Sequence, residues 1–462
     1  MTAHATPAET HSINPATGEL LAKYPYVTGE GLEAALTLAH AGYRAWARHE
    51  PDARAKCVAT LGQLLRRDKQ SLALMATKEM GKPITQAVAE IEKCANLCDW
   101  YAENGLAMLR DQPTLIGPEA YVSYLPIGSV LAIMPWNFPY WQILRGAVPI
   151  VLAGNSYMLK HAPNVQGCAL ALLALFAQAG FPDGVFSVIN VTNDLVSKAI
   201  VDRRINAVAV TGSVRAGSAI AAQAGAALKK TLLELGGSDP FVVLADADID
   251  RAVDAAVIGR FQNSGQICIA AKRIILETSI AAEFTEKFVT KVAALEFGDP
   301  QNPATYVGPM ARADLRDELA DQVLRTTQQG AKLLLGGKIP QGPGAFHEPT
   351  VLTNVQPGMA AFVEETFGPV AALIHAKNED DALRLANDSE FGLSGSLWTQ
   401  RKELARKMAR GLETGGVFVN GFSVSDPRIP IGGVKNSGYG RELSHFGVHE
   451  FVNAQTVWFD RT

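Results

Sequence analysis

The sequence predicts an α/β protein of two blocks, each alternating strands with helices, joined to a β-hairpin and a β-prone tail. Short β-prone runs alternate with amphipathic or alanine-rich stretches from about residue 129 to 235, and again from about 240 to 420. Such alternation indicates parallel strands covered by helices. The 462 residues exceed what a single hydrophobic core organises, and 48% hydrophobic with 19% charged residues fits large soluble cores.

In chain order, residues 29 to 110 read mostly as helices: GLEAALTLAHAGYRAW and ARAKCVATLGQLLRR carry apolar residues at helical spacing. Cys94 and Cys98 stand four apart, as zinc ligands can, but they share the stripe of Ile84, Val88, Ile91 and Ala95 and are expected in the core. In PTLIGPEAYVSYLPIGSV, two β-prone runs flank Gly117-Pro118 and predict a hairpin. A lone hairpin is marginal in water, so this one is expected to pair with the tail EFVNAQTVWF or with another subunit's sheet. The first block then offers strands at SVLAIMP, SYMLK, VFSVI, NAVAVTG and KKTLLEL, with helices near 140–152, 164–179, 193–201 and 214–226. The second block opens at PFVVLAD.

Composition excludes several classes. A net charge of −4 gives no footprint for nucleic acid or an anionic membrane. No apolar run reaches the roughly 20 residues of a membrane span. MTAHATPAETHS lacks a signal peptide's basic start and apolar core, so a soluble cytoplasmic protein is expected. Five cysteines (Cys57, Cys94, Cys98, Cys168, Cys268) are few and odd in number, which argues against a disulfide framework. No set of residues suggests a metal.

In a doubly wound sheet, ligands bind beyond the carboxyl ends of the strands. Four successive exits carry polar or glycine residues: PWNFP, HAPNVQG, SVRAG and GGSDP. At TGSVRAG, Gly212 and Ser213 are placed to offer N–H groups and a hydroxyl to a phosphate, although Ser213 fits an ordinary N-cap equally well. The common GxGxxG fingerprint is missing. Glu234, at a strand end among apolar residues, is either a base with a raised pKa or a structural hydrogen-bonding group. Cys268, in FQNSGQICIA, is either a nucleophile or a small core residue.

Five motifs, in order, decide between these alternatives: PWNFP at 135–139, LELGG at 233–237, FQNSGQICIA at 261–270, EETFGPV at 364–370 and PIGGVKNSGYGREL at 430–443. Over almost the whole chain they resemble the aldehyde dehydrogenase superfamily. The resemblance implies a Rossmann-like NAD(P)-binding domain (1–107 with 126–235), an α/β catalytic domain (236–425) and oligomerisation segments (108–125 and 444–462) in a homodimer or homotetramer. It implies Cys268 as nucleophile, Asn137 and the Cys268 N–H as oxyanion donors, Glu234 as the base that activates water, and Glu442 as a second carboxylate in proton relay. For NAD or NADP it implies Lys160 on the adenosine ribose, Ser213 on the pyrophosphate and Glu365 on the nicotinamide ribose. Phe367, Ile133, Trp136 and Leu235 would line the same cleft.

Departures from the family pattern are informative. Pro163 stands where many relatives carry the acid that disfavours a 2′-phosphate, which leaves NADP open. Gly146 replaces a frequent lysine. Arg145, two helical turns beyond Asn137 at about 3.6 residues per turn, resembles the arginine with which succinate-semialdehyde dehydrogenases bind a distal carboxylate, unless it forms a structural ion pair. Ser425 matches their serine, and Arg428 is a further cation nearby. Gln262 stands where many of them have arginine, and Ala270 where some have a second, redox-active cysteine. The expected reaction is NAD(P)-dependent oxidation of succinate semialdehyde to succinate. A broad-specificity or betaine-type enzyme, a CoA-acylating member and a non-catalytic scaffold are the alternatives.

Overall fold

The computed structural model describes residues 8–459. The chain begins with an antiparallel hairpin, β1 (Glu9–Ile13) and β2 (Leu20–Pro25). Its buried positions on β1 are Thr10 and Ser12, so it has no apolar alternation by which to be seen in the sequence. Four helices follow: α1 (Gly29–Trp46), α2 (Pro51–Arg67), α3 (Lys69–Met80) and α4 (Ile84–Asn104). Local signals set their ends. The Thr28 hydroxyl accepts the Gly31 N–H at 3.2 Å to start α1, Pro51 opens α2, and Gly81 ends α3 in the left-handed region at φ 79°. Cys94 and Cys98 lie fully buried on the inner face of α4, as its apolar stripe requires.

The hairpin expected near Gly117-Pro118 forms from β3 (Gln112–Thr114) and β4 (Gly117–Pro126). Its turn falls at Leu115 and Ile116, so Gly117 and Pro118 begin the second strand instead of making the turn.

Next comes the first α/β sheet: β5 (Ser129–Ile133), α5 (Trp141–Leu152), β6 (Ser156–Lys160), α6 (Gln166–Gln178), β7 (Phe186–Val188), α7 (Asn193–Val201), β8 (Ile205–Thr211), α8 (Val214–Ala226) and β9 (Lys230–Glu234). These strands are parallel in the order β9-β8-β5-β6-β7. The chain winds outward from β5 to β7, then returns to β8 on the other side. The exits of β5 and β8 therefore diverge and leave a crevice between them. Helices cover both faces, which is why β5 reads as the unbroken apolar run VLAI after Ser129.

The second sheet takes β10 (Asp239–Val243), β11 (Ala271–Glu277), β12 (Lys332–Leu335), β13 (Thr350–Thr353), β14 (Val370–Ala376), β16 (Gly395–Trp398) and β17 (Val417–Val419). A short strand, β15 (Phe391–Gly392), stands outside it. The order is β12-β13-β14-β11-β10-β16-β17, parallel except for β12. Its covering helices include α9 (Ile249–Phe261), α10 (Thr278–Ala293), α11 (Ala313–Gln328), α12 (Ala360–Val363), α13 (Glu379–Asn387) and α14 (Lys402–Gly411). The chain then stitches the two sheets together: β18 (Val434–Lys435) pairs with β15, and β19 (Gly438–Tyr439) pairs with the end of β9, Gly438 opposite Glu234. After α15 (Ser444–Glu450), the last strand β20 (Val452–Trp458) runs antiparallel to β4 of the same chain, with Val452 opposite Pro126 and Trp458 opposite Ala120.

Candidate active site

Cys268 sits in the connection between α9 and β11, and this loop is tightly specified. Asn263, Ser264 and Gly265 all take left-handed backbone conformations, with φ of 54°, 53° and 72°. At Gly265 a Cβ would come within 2.3 Å of the Gly368 carbonyl oxygen, so only glycine fits. The two strained residues are fixed by partners. Gln86 accepts the Asn263 N–H at 2.7 Å, the Asn263 amide donates to the Asn137 carbonyl at 2.8 Å, and the Ser264 hydroxyl donates to Gly308 O at 3.0 Å. Fully buried Arg260 donates to the carbonyls of Gly265, Thr366, Gly368 and Val370, clamping the loop to the segment between α12 and β14 that carries Glu365 and Phe367. Asn137, just past β5, donates one amide hydrogen to Gln266 O at 3.0 Å, which leaves its second for another acceptor.

Two cavities meet at Cys268 and Gln142, which line both. The larger, about 870 Å³, opens at the crevice between β5 and β8, and its walls include Trp136, Asn137, Gly212, Ser213, Leu235, Glu365 and Phe367. The smaller, about 150 Å³, lies on the other side of the thiol, and its walls include Arg145, Gln262 and Ser425. Ten sequence-predicted residues are thus brought to one cysteine. Ile133 and Lys160, which face each other in the β5–β6 register, end their strands beside the larger cavity but outside its walls. Arg428 is a correction: its guanidinium turns to Asp426 at the surface, 2.8 Å away, and takes no part in either cavity. Gly212 is another: its N–H donates to the Glu234 carbonyl at 3.1 Å across the β8–β9 edge, so it is not available to a phosphate. Ser213 caps α8, accepting the Ala216 N–H at 3.3 Å.

Charge is arranged around the thiol in a buried chain. Glu234 and Glu442 are both almost inaccessible, and Arg145 lies between them, ion-paired with Glu442 and 4.0 Å from Glu234. Burial pushes the Glu234 carboxyl up to about 8, against the opposing pull of Arg145, and raises Glu442 for the same reason. Burial also pushes the half-buried Cys268 thiol up to about 11, although Arg145 and Lys272 favour the thiolate. Cys268 therefore rests as a thiol and needs a base. Gly146, the departure beside Arg145, leaves room for this arrangement: a Cβ there would stand 3.1 Å from Glu442 Oε1.

Several important residues carry no motif. Lys272, fully buried, donates to the carbonyls of Gly237 and Cys268 at 2.6 and 2.7 Å and to Glu365 Oε1 at 2.9 Å. It fixes the cysteine's backbone and the cleft carboxylate together, and a lysine at the second position of β11 gives no warning of that in the sequence. Gln142 and Lys93 in the cavity walls were equally silent. Among the described residues no cluster of three or more metal-ligating side chains occurs, and no helix is long and apolar enough to cross a membrane.

The aldehyde dehydrogenase family model matches residues 2–457. The chain belongs to that family. It is 60% identical to the NAD(P)+-type succinate semialdehyde dehydrogenase Sad of Escherichia coli (strain K12), over 99% of both chains. A probable NADP+-type succinate-semialdehyde dehydrogenase of Synechocystis is 44% identical, over 97% of this chain and 99% of that one. Among solved structures, succinic semialdehyde dehydrogenase from Streptococcus pyogenes in complex with NADP+ superposes with a TM-score of 0.95 at 36% identity, covering 97% of this chain and 99% of that one.

Proposed function

We infer that this chain oxidises succinate semialdehyde to succinate with NAD(P)+. The observation that carries this is Cys268 standing where a nucleotide-sized cleft meets a small cavity with a cationic wall, in a chain so similar to succinate semialdehyde dehydrogenases.

The cleft fits a dinucleotide on its own chemistry. The first turn of α8, opened by Ser213, suits a pyrophosphate. Glu365 suits a ribose, its Oε1 held by Lys272 and the Gly237 N–H. Trp136 and Phe367, edge to face at 5.7 Å, wall the space for a flat ring. The Cys268 thiol gives up its proton to a carboxylate of the site, the thiolate attacks the aldehyde carbon, and the free hydrogen of the Asn137 amide with the Cys268 N–H stabilises the oxyanion. A bound nicotinamide cofactor would supply the hydride acceptor needed for the thiohemiacetal on Cys268 to become a thioester. Glu234 then removes a proton from the water that hydrolyses the thioester, and its raised pKa suits a base working near neutral pH. Arg145 ties Glu234 to Glu442, so that the proton taken up at Glu234 has a second carboxylate to share it.

The test is steady-state kcat/KM for succinate semialdehyde and for butanal, each with NAD+ and with NADP+. Strong preference for the semialdehyde is expected, and equal rates would leave a general aldehyde dehydrogenase.

The three-stranded sheet β20-β4-β3 supports a further reading, assembly into a homodimer or homotetramer through segments 108–125 and 444–462. It exposes Leu115, Ile116, Trp458 and Phe459, apolar side chains that a second copy would cover. Light scattering on the eluted protein checks this, and a stable monomer would remove it.

A further inference from the structure

The small cavity contains a cation with no anion of its own. Lys93, on α4, reaches its wall, where Nζ donates to the Ser425 hydroxyl at 2.7 Å and lies 4.0 Å from the centre of the Trp141 ring. Among the described residues no carboxylate oxygen lies within 4.0 Å of it. The two acids in its neighbourhood are engaged elsewhere. Glu90 is ion-paired with Lys82 and accepts the N–H groups of Tyr140 and Trp141, both at 2.9 Å, while Asp426 is held by Arg428. Arg145, the other cation of the cavity, is already neutralised by Glu442. An ammonium has three hydrogens to donate; the hydroxyl uses one and the ring face offsets part of the charge. Burying the rest without an anion is unfavourable, and it holds the Lys93 ammonium down to about 8.

We propose that Lys93 binds the distal carboxylate of the substrate, with Ser425 and Gln262 completing the pocket and Arg145 left to the two glutamates. Lys93, Ser425, Gln262 and Cys268 line one cavity of about 150 Å³, room for a four-carbon chain with the aldehyde at the thiol and the acid at the ammonium. The carboxylate supplies the counter-charge that the protein withholds, so an uncharged aldehyde of the same length fills the cavity but leaves Lys93 unanswered. Selectivity for an acid semialdehyde then resides in a residue fewer than three turns into α4, ahead of the first α/β block and far in sequence from every motif of the site.

This rests on succinate semialdehyde being the substrate, and the experiment separates the two claims. Values of kcat/KM for succinate semialdehyde and butanal are measured on wild type, Lys93→Met and Lys93→Arg. Methionine is expected to lower the semialdehyde-to-butanal ratio at least tenfold, chiefly through KM for the semialdehyde, and arginine to restore most of it. A wild type that prefers the semialdehyde, with the same ratio retained in Lys93→Met, would overturn the role of Lys93 alone. A wild type without the preference would overturn the substrate assignment. If Lys93→Met does not fold, Lys93→Gln is read in the same way.

Discussion

The cleft on one side of Cys268 is lined by strand exits of the first sheet facing α11 and the segment before β14; the cavity on the other side is lined largely from the faces of two helices and from two loops. Pro135, Trp136 and Asn137 follow β5, Thr211 to Ser213 follow β8, and Leu235 and Gly236 follow β9. Opposite them, Gln86 and Lys93 stand on α4, Gln142 and Arg145 on α5, Gln262 in the cysteine loop and Ser425 beyond β17. The first wall is a consequence of topology. Strands that diverge at a switch point leave a crevice there whatever their side chains are. The second wall is a consequence of side chains alone, since α4 and α5 would pack as they do around many choices at Lys93 or Ser425. On the proposed reading, the cofactor side is thus bound to the fold, and the substrate side is free to vary on it.

The comparison predicts that damage at the junction abolishes everything, whichever wall is intact. Cys268→Ala should lower kcat at least about a thousandfold for any aldehyde, read as NADH or NADPH formation. Glu234→Gln should lower steady turnover by roughly a hundredfold or more while a first burst of reduced cofactor survives, because hydride transfer precedes the water step. The pH profile sharpens this. A carboxyl raised to about 8 is largely protonated at neutral pH and gains its basic form as pH rises. Wild-type kcat should therefore climb between about pH 6 and about pH 9, and the climb should flatten in Glu234→Gln. An identical profile in the variant would remove Glu234 as the base. Asn137→Ala, by removing the proposed oxyanion donor, should raise the barrier by about 2.7–4 kcal/mol for charged and uncharged aldehydes alike.

The same contrast explains what could be read from the sequence. Alternating β-prone and amphipathic runs marked the strands of the first sheet and the helices between them, because strands buried on both faces must be apolar throughout. Residues of the cleft stood at predicted strand exits and in contiguous motifs, so PWNFP, TGS and LELGG pointed to it directly. The β1–β2 hairpin was invisible, since hydroxyls fill its inward positions. Lys272 was invisible because its three acceptors lie in Gly237, Cys268 and Glu365, which meet only in the folded chain. Gly212 misled for a related reason: a glycine before a helix looks ready for a phosphate, and only the β8–β9 pairing shows its N–H to be occupied. Arg145 was placed correctly in the cavity wall, but its ion pair with Glu442 depends on a segment nearly 300 residues later.

Arg145 gives the next test of the two-wall picture. Replacing it with methionine strands Glu442 and Glu234 in a buried site, and removing one partner of a buried pair costs about 3–5 kcal/mol. A lower thermal unfolding temperature and reduced kcat with both succinate semialdehyde and butanal are expected. Loss confined to the semialdehyde would instead place Arg145 on the substrate carboxylate.

The smallest expected effect lies furthest from Cys268. Pro163 begins the short turn after β6, close in sequence to Lys160, at the position where many relatives carry an acid against the ribose. With no carboxylate there, a 2′-phosphate meets no like charge from that residue. Pro163→Glu restores the repulsion. Its site is the first residue of the turn, where a proline's missing N–H is of no consequence and a glutamate adds no strain. The change should lower kcat/KM for NADP+ by about tenfold relative to NAD+, since two like charges in a partly exposed site repel by about 1 kcal/mol or more. It should leave the ratio of semialdehyde to butanal unaltered, because that ratio is set across the thiol in the other wall. A shift in substrate ratio without a shift in cofactor ratio would mean that the two walls communicate through the first sheet, and the division between a topological cofactor side and a side-chain substrate side would fail.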